Sequence, residues 1–325
     1  MAAVLKSLIP LAALAAAMLL LPSAAGAQGD GGPSQPKVAN LKVKPNGLSG
    51  GKARVASRVL AIGRLYPFVA NQTVRVRFYR GGKIVKGKRV EVRKLPDRNV
   101  GGFKLRSSRL TKPGKYRVRV WKPPTRGQQG AKSKSKRFKL KFPSLSQGNR
   151  NSAVGLFNEL LRKRGYHAPK GDKFDSGTAR AVMAFRKVNG MARTMRATGS
   201  IFRRLAAGKG AFKLRHPGAG RHVEVDIRRQ VMVLADNGKP KHTFHVSTGK
   251  ASTPSDPGHF RFFQRQPGYN SIGMYYSVYY NGGEAIHGYK SVPTYPASNG
   301  CIRNPTPNSK FIYDWVSLGM SIYVY

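Results

Sequence analysis

Acidic residues are scarce in this chain of 325 residues: 12 Asp and Glu stand against 60 Lys and Arg, giving a formal net charge of +48. A surface so short of acids cannot neutralise itself. It attracts polyanions, whether nucleic acid, anionic lipid or an acidic wall polymer. Cysteine is scarcer still. A single thiol, Cys301, excludes an internal disulfide framework and a thiolate metal cluster. Beyond the amino terminus no apolar run approaches membrane-spanning length. What is present excludes wholesale disorder, since 40% of the residues are hydrophobic and 10% aromatic.

The amino terminus narrows the choice of polyanion. Met1–Lys6 carries one positive charge, Ser7–Leu21 is an Ala- and Leu-rich run, and Pro22 to Ala27 supplies small residues for a signal peptidase. Residues 1–27 therefore read as a signal peptide cut after Ala27, with an uncleaved anchor as the alternative. The rest is expected to be exported, with no stable membrane span after cleavage. An exported basic protein meets cell-surface polymers, so anionic wall polymers are expected as partners and nucleic acid is not.

The charge is unevenly spread. From Lys37 to Arg150, 33 Lys and Arg face two acids, Glu91 and Asp97, for a net of +31. From His222 to Tyr325, 10 basic residues face 6 acids, for a net of +4. Chemistry is therefore sought in the second region. Residues 37–142 alternate at period two between turn signals: Val74, Val76 and Phe78 share one face, and Lys115 to Trp121 repeats the pattern after Pro113-Gly114. Apolar-in, basic-out strands of this length suggest an all-β immunoglobulin-like sandwich.

Residues 144–210 read as a small three-helix module. Val154, Leu156, Phe157, Leu160 and Leu161 recur at helical spacing before a stop at Arg164-Gly165. Asp175 could cap a second helix with Ala181, Val182 and Phe185, and Ile201, Phe202 and Leu205 suggest a third. The spacing of Gly148, Val154, Leu160, Gly165-Tyr166, Thr178, Ala181-Val182, Phe185 and Gly190-Met191 resembles the peptidoglycan-binding repeat of wall enzymes. Residues 211–221 are expected to form a linker.

Residues 222–325 are strand-like again. Asn237-Gly238 signals a hairpin, Tyr275–Tyr280 an aromatic strand, Phe311–Trp315 a short helix and Met320–Tyr325 a final strand. Cys301 lies in Ser298-Asn299-Gly300-Cys301-Ile302-Arg303, fourteen residues after His287 in Ile286-His287-Gly288. A strand-end His and a turn-borne Cys can meet across a sheet, where the imidazole takes the thiol proton and the thiolate becomes the nucleophile. Gly300 permits close approach, so amides around Cys301 could receive a developing oxyanion.

Val246-Ser247-Thr248-Gly249, Thr253-Pro254, Gly258 with Phe260, Tyr279 to Gly283, Ile286-His287-Gly288 and Pro296 to Arg303 occur in an order that resembles the catalytic domain of L,D-transpeptidases. The resemblance implies a mainly-β catalytic domain with Cys301 as nucleophile, His287 as base and the Gly288 carbonyl as orienting partner. It implies attack on a tetrapeptide stem, release of D-alanine and resolution of the thioester by a second stem's amine, giving a 3-3 cross-link. Substrate contacts are expected at Ser298, Asn299, Gly300, Arg303 and Tyr276, with no cofactor and no metal. One departure stands out: the family usually has His where this chain has Asn299, which cannot carry a proton near neutral pH. That departure, with the large anion-attracting portion, motivates one rival, a catalytically weak or silent wall binder; a second is an L,D-carboxypeptidase, in which water replaces the acceptor amine. The S-x-x-K matches at Ser247–Lys250 and Ser133–Lys136 lack companion motifs. His242, His245 and His259 lack a carboxylate cluster at ligand spacing and are expected to be strand or surface residues.

Overall fold

A computed structural model of the chain describes residues 37–96 and 99–325. The segment read as a signal peptide lies outside the described residues. In the first region β1 (Asn40–Asn46), β2 (Lys52–Arg54), β3 (Leu60–Tyr66), β4 (Thr73–Arg80), β5 (Lys83–Glu91), β6 (Arg93–Lys94), β7 (Gly101–Arg106), β8 (Gly114–Lys122), β9 (Ala131–Lys132) and β10 (Lys136–Lys141) form two sheets. Their orders are β1-β3-β7-β6 and β2-β10-β8-β4-β5, with β9 on β8. Period-two alternation decides which side chains meet. Val74, Val76, Phe78, Val118 and Leu140 from one sheet share a buried core with Leu41, Leu65 and Phe103 from the other.

The outer face of the six-stranded sheet is strongly basic. Register places Arg75 opposite Arg89, Arg77 opposite Arg119, Arg117 opposite Arg137 and Lys115 opposite Lys139. Like charges directly across a ladder repel. The aromatic groups offset part of this, with Arg75 over Trp121 at 5.2 Å and Arg117 over Tyr79 at 5.1 Å. The acid at the end of this face, Glu91, is taken by Arg93.

Three helices follow: α1 (Ser152–Lys163), α2 (Ser176–Val188) and α3 (Gly199–Ala206). Each has a side-chain cap, from Asn151, Asp175 and Thr198, satisfying amides that would otherwise lack a partner. Chain reversal after α1 uses Gly165 at φ +76, a left-handed value that suits glycine. Phe157, Phe185, Phe202 and Leu205 form the interior, and Phe142 stacks on Phe202 at 4.6 Å, which continues the core from the sandwich into the helices.

The last region comprises β11 (His222–Asp226), β12 (Val231–Asp236), β13 (Lys239–His245), β14 (Gly258–Arg261), β15 (Gln264–Tyr269), β16 (Tyr275–Asn281), β17 (Glu284–Tyr289), β18 (Ile302–Pro305), α4 (Thr306–Trp315) and β19 (Ser321–Val324). They build a five-stranded sheet, β13-β12-β11-β19-β14, and a four-stranded one, β15-β16-β17-β18. Val223, Phe244, Val278, Ile286, Ile302 and Ile312 fill the core of this region. Asn237 and Gly238 both take positive φ in the β12–β13 turn, as a tight hairpin requires. Helix α4 starts at Thr306, five residues before the expected Phe311, because Pro307 in its first turn is compatible with a helix start.

The helices dock on this region. Residues 211–221, expected as a linker, lie along the sheet: Phe212 is buried against Val231 and Val233, and the Arg215 and His216 amides donate to Glu224. From α2, Lys187 is buried and donates to Gln230 O at 3.1 Å, Val246 O at 2.9 Å and His245 Nδ1 at 2.8 Å. Removing that amine strands two buried acceptors, Val246 O and His245 Nδ1, while Gln230 O keeps its bond from Val246 N. Lys187→Ala is therefore expected to lower stability by on the order of 1–3 kcal/mol, read as a fall in the thermal midpoint. An unchanged midpoint would show that Lys187 does not pin this junction.

Candidate active site

The site is built on the parallel β17–β18 ladder, where Ile286 pairs with Ile302 and His287 with Arg303. Both isoleucines point into the core. Alternation therefore turns His287 and Arg303 to the opposite face, and Cys301, next before Ile302, joins them there. His287 lies within β17 and not at a strand end as expected; Cys301 sits in the bend before β18. A thiol and an imidazole thus share one face of two adjacent strands.

His287 Nδ1 lies 3.0 Å from Gly288 O. A carbonyl only accepts, so Nδ1 carries the proton and Nε2 is left as the basic nitrogen. Burial pulls the His287 pKa down to about 4, the Gly288 carbonyl opposes that, and the nearby Arg303 charge adds to it. The imidazole is therefore neutral at pH 7. Burial pushes the Cys301 thiol up, assisted by the Glu284 charge, while the Ala285 amide and Arg303 pull it down. Its sulfur donates to Gly283 O at 3.6 Å. At rest the thiol and the imidazole are thus both neutral.

The turn carrying Cys301 is held from behind. Ser247 N donates to Arg303 O at 2.9 Å and Arg303 N returns the bond to Ser247 O at 2.9 Å. Ser298 N donates to Thr248 O, Ser298 O accepts from Lys250 N, and the Ser298 hydroxyl donates to Cys301 O. The Ser255 hydroxyl donates to Gly300 O. Gly249 is required here, since a Cβ would stand 2.3 Å from Thr253 O. Gly288 is likewise required, because a Cβ would meet Ser309 Oγ at 2.1 Å.

Cys301, His287, Gly288, Gly300 and Arg303 are therefore gathered at one place, with Asn299 exposed beside them. Two expected substrate contacts are not so placed. Ser298 is fully buried, its polar groups spent on the turn. Tyr276 packs on α4, edge-on to Tyr313 at 5.0 Å, because its φ of +50 in a bulge of β16 breaks the alternation. Arg303 is partly engaged, stacked over Tyr289 at 4.3 Å and donating to Ala297 O at 3.1 Å. Tyr289, which also lies edge-on to His287, was not anticipated, although its place two residues after His287 in an alternating strand was the available signal. Ser247 donates its hydroxyl to Tyr295 O at 2.7 Å, so the S-x-x-K match there is structural. The three histidines considered for metal occupy separate settings: His242 beside His167, His245 on Lys187 and His259 stacked on Tyr323.

A β-rich domain with a thiol and an oriented imidazole on neighbouring strands holds the two kinds of group that acyl transfer through a covalent intermediate uses. Residues 220–324 match the YkuD family, the L,D-transpeptidase catalytic domain, and that region carries this catalytic domain. Among solved structures the chain is similar to the L,D-transpeptidase of Xylanimonas cellulosilytica, with 26% identity, TM-score 0.52, and coverage of 56% of this chain and 98% of that one. It also matches the L,D-transpeptidase of Stackebrandtia nassauensis, at 21% identity and TM-score 0.35 over 56% of this chain and 94% of the other. The catalytic domain of the Enterococcus faecium enzyme matches at 23% identity and TM-score 0.29, over 33% and 98%. No curated protein sequence matches the chain. Among the described residues no helix is long and apolar enough to cross a membrane.

Proposed function

We propose that the chain is an exported peptidoglycan L,D-transpeptidase that forms 3-3 cross-links between tetrapeptide stems through a thioester on Cys301. The observation that carries this reading is the placement of Cys301 and the Gly288-oriented His287 on one face of the β17–β18 ladder. In the first step His287 Nε2 takes the thiol proton as sulfur attacks the stem carbonyl; the same proton then passes to the departing D-alanine amine. Amides beside Cys301 would receive the oxygen on which charge develops. A second stem's amine resolves the thioester. Asn299 is exposed, and the turn is held by Ser298, Ser255 and Ser247 and not by the side chain at 299. That supports an active enzyme over a silent binder. Incubation of purified protein with tetrapeptide-bearing muropeptides, read by mass spectrometry, tests it: a dimer is expected, a tripeptide means a carboxypeptidase, and no change means a binder.

The base makes a pH prediction. Nε2 must be free of a proton to act, and His287 sheds that proton above about 4. The acid limb of the acylation rate is therefore expected near pH 4, well below the ordinary imidazole range. A limb near 6.5 would mean a solvated imidazole and contradict the buried geometry.

Residues 37–142 are read as an immunoglobulin-like sandwich that holds the enzyme to anionic wall polymers, and residues 144–210 as a peptidoglycan-binding module. The like-charged pairs on the outer sheet face support the first role, because a polyanion would relieve their repulsion. Replacing Arg75, Arg77, Arg117 and Arg119 together by Gln in the full-length chain is expected to remove most of the salt-sensitive pelleting with intact walls. Raising salt to about 1 M, where the Debye length is about 3 Å, should do the same to the wild type. Equal pelleting of both forms at low salt would make the sandwich a spacer.

A further inference from the structure

In a chain so poor in acids, two of them stand beside the nucleophile without a basic partner. Glu284 opens β17, three residues before His287. A Cβ at Gly300 would lie 3.1 Å from Glu284 Oε1, so this carboxylate covers the residue that precedes Cys301. Asp256 joins it: its amide donates to Glu284 Oε1 at 3.0 Å, and Asn281 Nδ2 donates to Asp256 Oδ2 at 2.9 Å and to Glu284 Oε2 at 3.5 Å. Neither acid is in an ion pair among the described residues, although 60 Lys and Arg are present.

A second observation points to the same corner. The Tyr280 side chain is 3% exposed, and its hydroxyl, next to the Glu284 carboxylate, makes no well-formed hydrogen bond. That hydroxyl lies close enough to feel the charges of Glu284, Cys301 and Asp256. A buried hydroxyl whose one polar neighbour is a poorly aligned carboxylate is under-satisfied, and a donor arriving between the two would serve both. The carboxylate is costly as well, because its charge opposes the thiolate that must form on Cys301. An anionic corner that handicaps the first half of a reaction gains its use in the second half, when sulfur is acylated and neutral and the incoming group is a cation.

We propose that Glu284, Asp256 and the Tyr280 hydroxyl form an ammonium subsite that receives the acceptor amine and selects it over water. The proposal rests on the transpeptidase reading and assigns its acceptor side. The ammonium gives one proton to the Glu284 carboxylate, and the nitrogen lone pair attacks the thioester carbonyl. The carbon–nitrogen bond forms and the carbon–sulfur bond breaks. The departing sulfur keeps the bonding pair and takes the second nitrogen proton by way of His287, restoring the thiol. Glu284 then releases its proton to water. Burial raises the Glu284 carboxyl above its ordinary range, which makes it a better proton acceptor than a solvated carboxylate.

The test uses full-length protein, a tetrapeptide muropeptide as donor and a tripeptide stem with a free side-chain amine as acceptor. Intact mass follows acyl-enzyme formation, and product analysis gives the ratio of dimer to hydrolysed stem. Glu284→Gln is expected to raise the acceptor KM by about tenfold to a hundredfold, the range of one charge-assisted hydrogen bond, and to shift product toward hydrolysis. Its acylation should become faster, since the charge opposing the thiolate is gone. Asp256→Asn, at an exposed position, should change KM and product ratio in the same direction and keeps the test open if Glu284→Gln misfolds. An unchanged acceptor KM and product ratio in acylated Glu284→Gln overturns the subsite and leaves the transpeptidase reading standing. Absence of any acyl-enzyme in the wild type overturns both.

Discussion

Cys301→Ala is expected to abolish turnover of tetrapeptide stems and to leave wall binding unchanged. The reason is chemical. The chain holds one thiol, and without it no thioester can form. The turn that carries residue 301 is held by Ser247, Ser255 and Ser298, none of which bonds to the sulfur, so the fold should persist. Wall binding is read as the work of the basic sheet face and the helices, which lie elsewhere. The resemblance to L,D-transpeptidases further implies that a carbapenem adds to wild type at Cys301 and not to the Ala variant. Turnover by Cys301→Ala at the wild-type rate would remove the nucleophile from the account.

The second large effect is expected at the base. His287→Gln preserves much of the side-chain volume and an amide that can still bond to Gly288 O, but it cannot accept and return a proton near neutral pH. The loss in acylation rate should be roughly a hundredfold to ten-thousandfold, the usual range for general acid–base groups. The neutral thiol makes this dependence strong: burial holds Cys301 protonated, so little thiolate exists to attack without a base. A loss under about threefold would mean that another group takes the proton.

Much of this site was legible because chemistry and spacing coincide in short segments. Ile286-His287-Gly288 alternates as a strand, and the order of that segment and the Cys301 turn carries the family resemblance. The segment also contains its own orienting carbonyl. What could not be read was the consequence of packing across the chain. Ser298 looks like a polar residue free to meet a ligand beside Cys301, yet Thr248, Lys250 and Cys301 absorb its polar groups. Tyr276 lies in an alternating aromatic strand, and only the bulge at φ +50 sends it to α4. The Glu284 carboxylate reaches Gly300 from another strand, a contact that no local pattern announces. The alternation in residues 37–142 did place Val74, Val76 and Phe78 inside, whereas β5, with Ile84 52% exposed, departs from it as an edge strand. Lys187 is a further case. A charged residue in the last turn of a helix reads as solvated, but α2 docks on β13 and buries it among three acceptors.

The central claim is that Cys301 carries the acyl group between donor and acceptor. Its most direct test is mass analysis of full-length protein quenched during reaction with a tetrapeptide muropeptide, followed by mapping of the modified peptide. The account predicts a mass increase equal to the stem less its terminal D-alanine, located on Cys301, and a cross-linked dimer in the supernatant. Dimer formed with no adduct at Cys301, or an adduct at another residue, would contradict it.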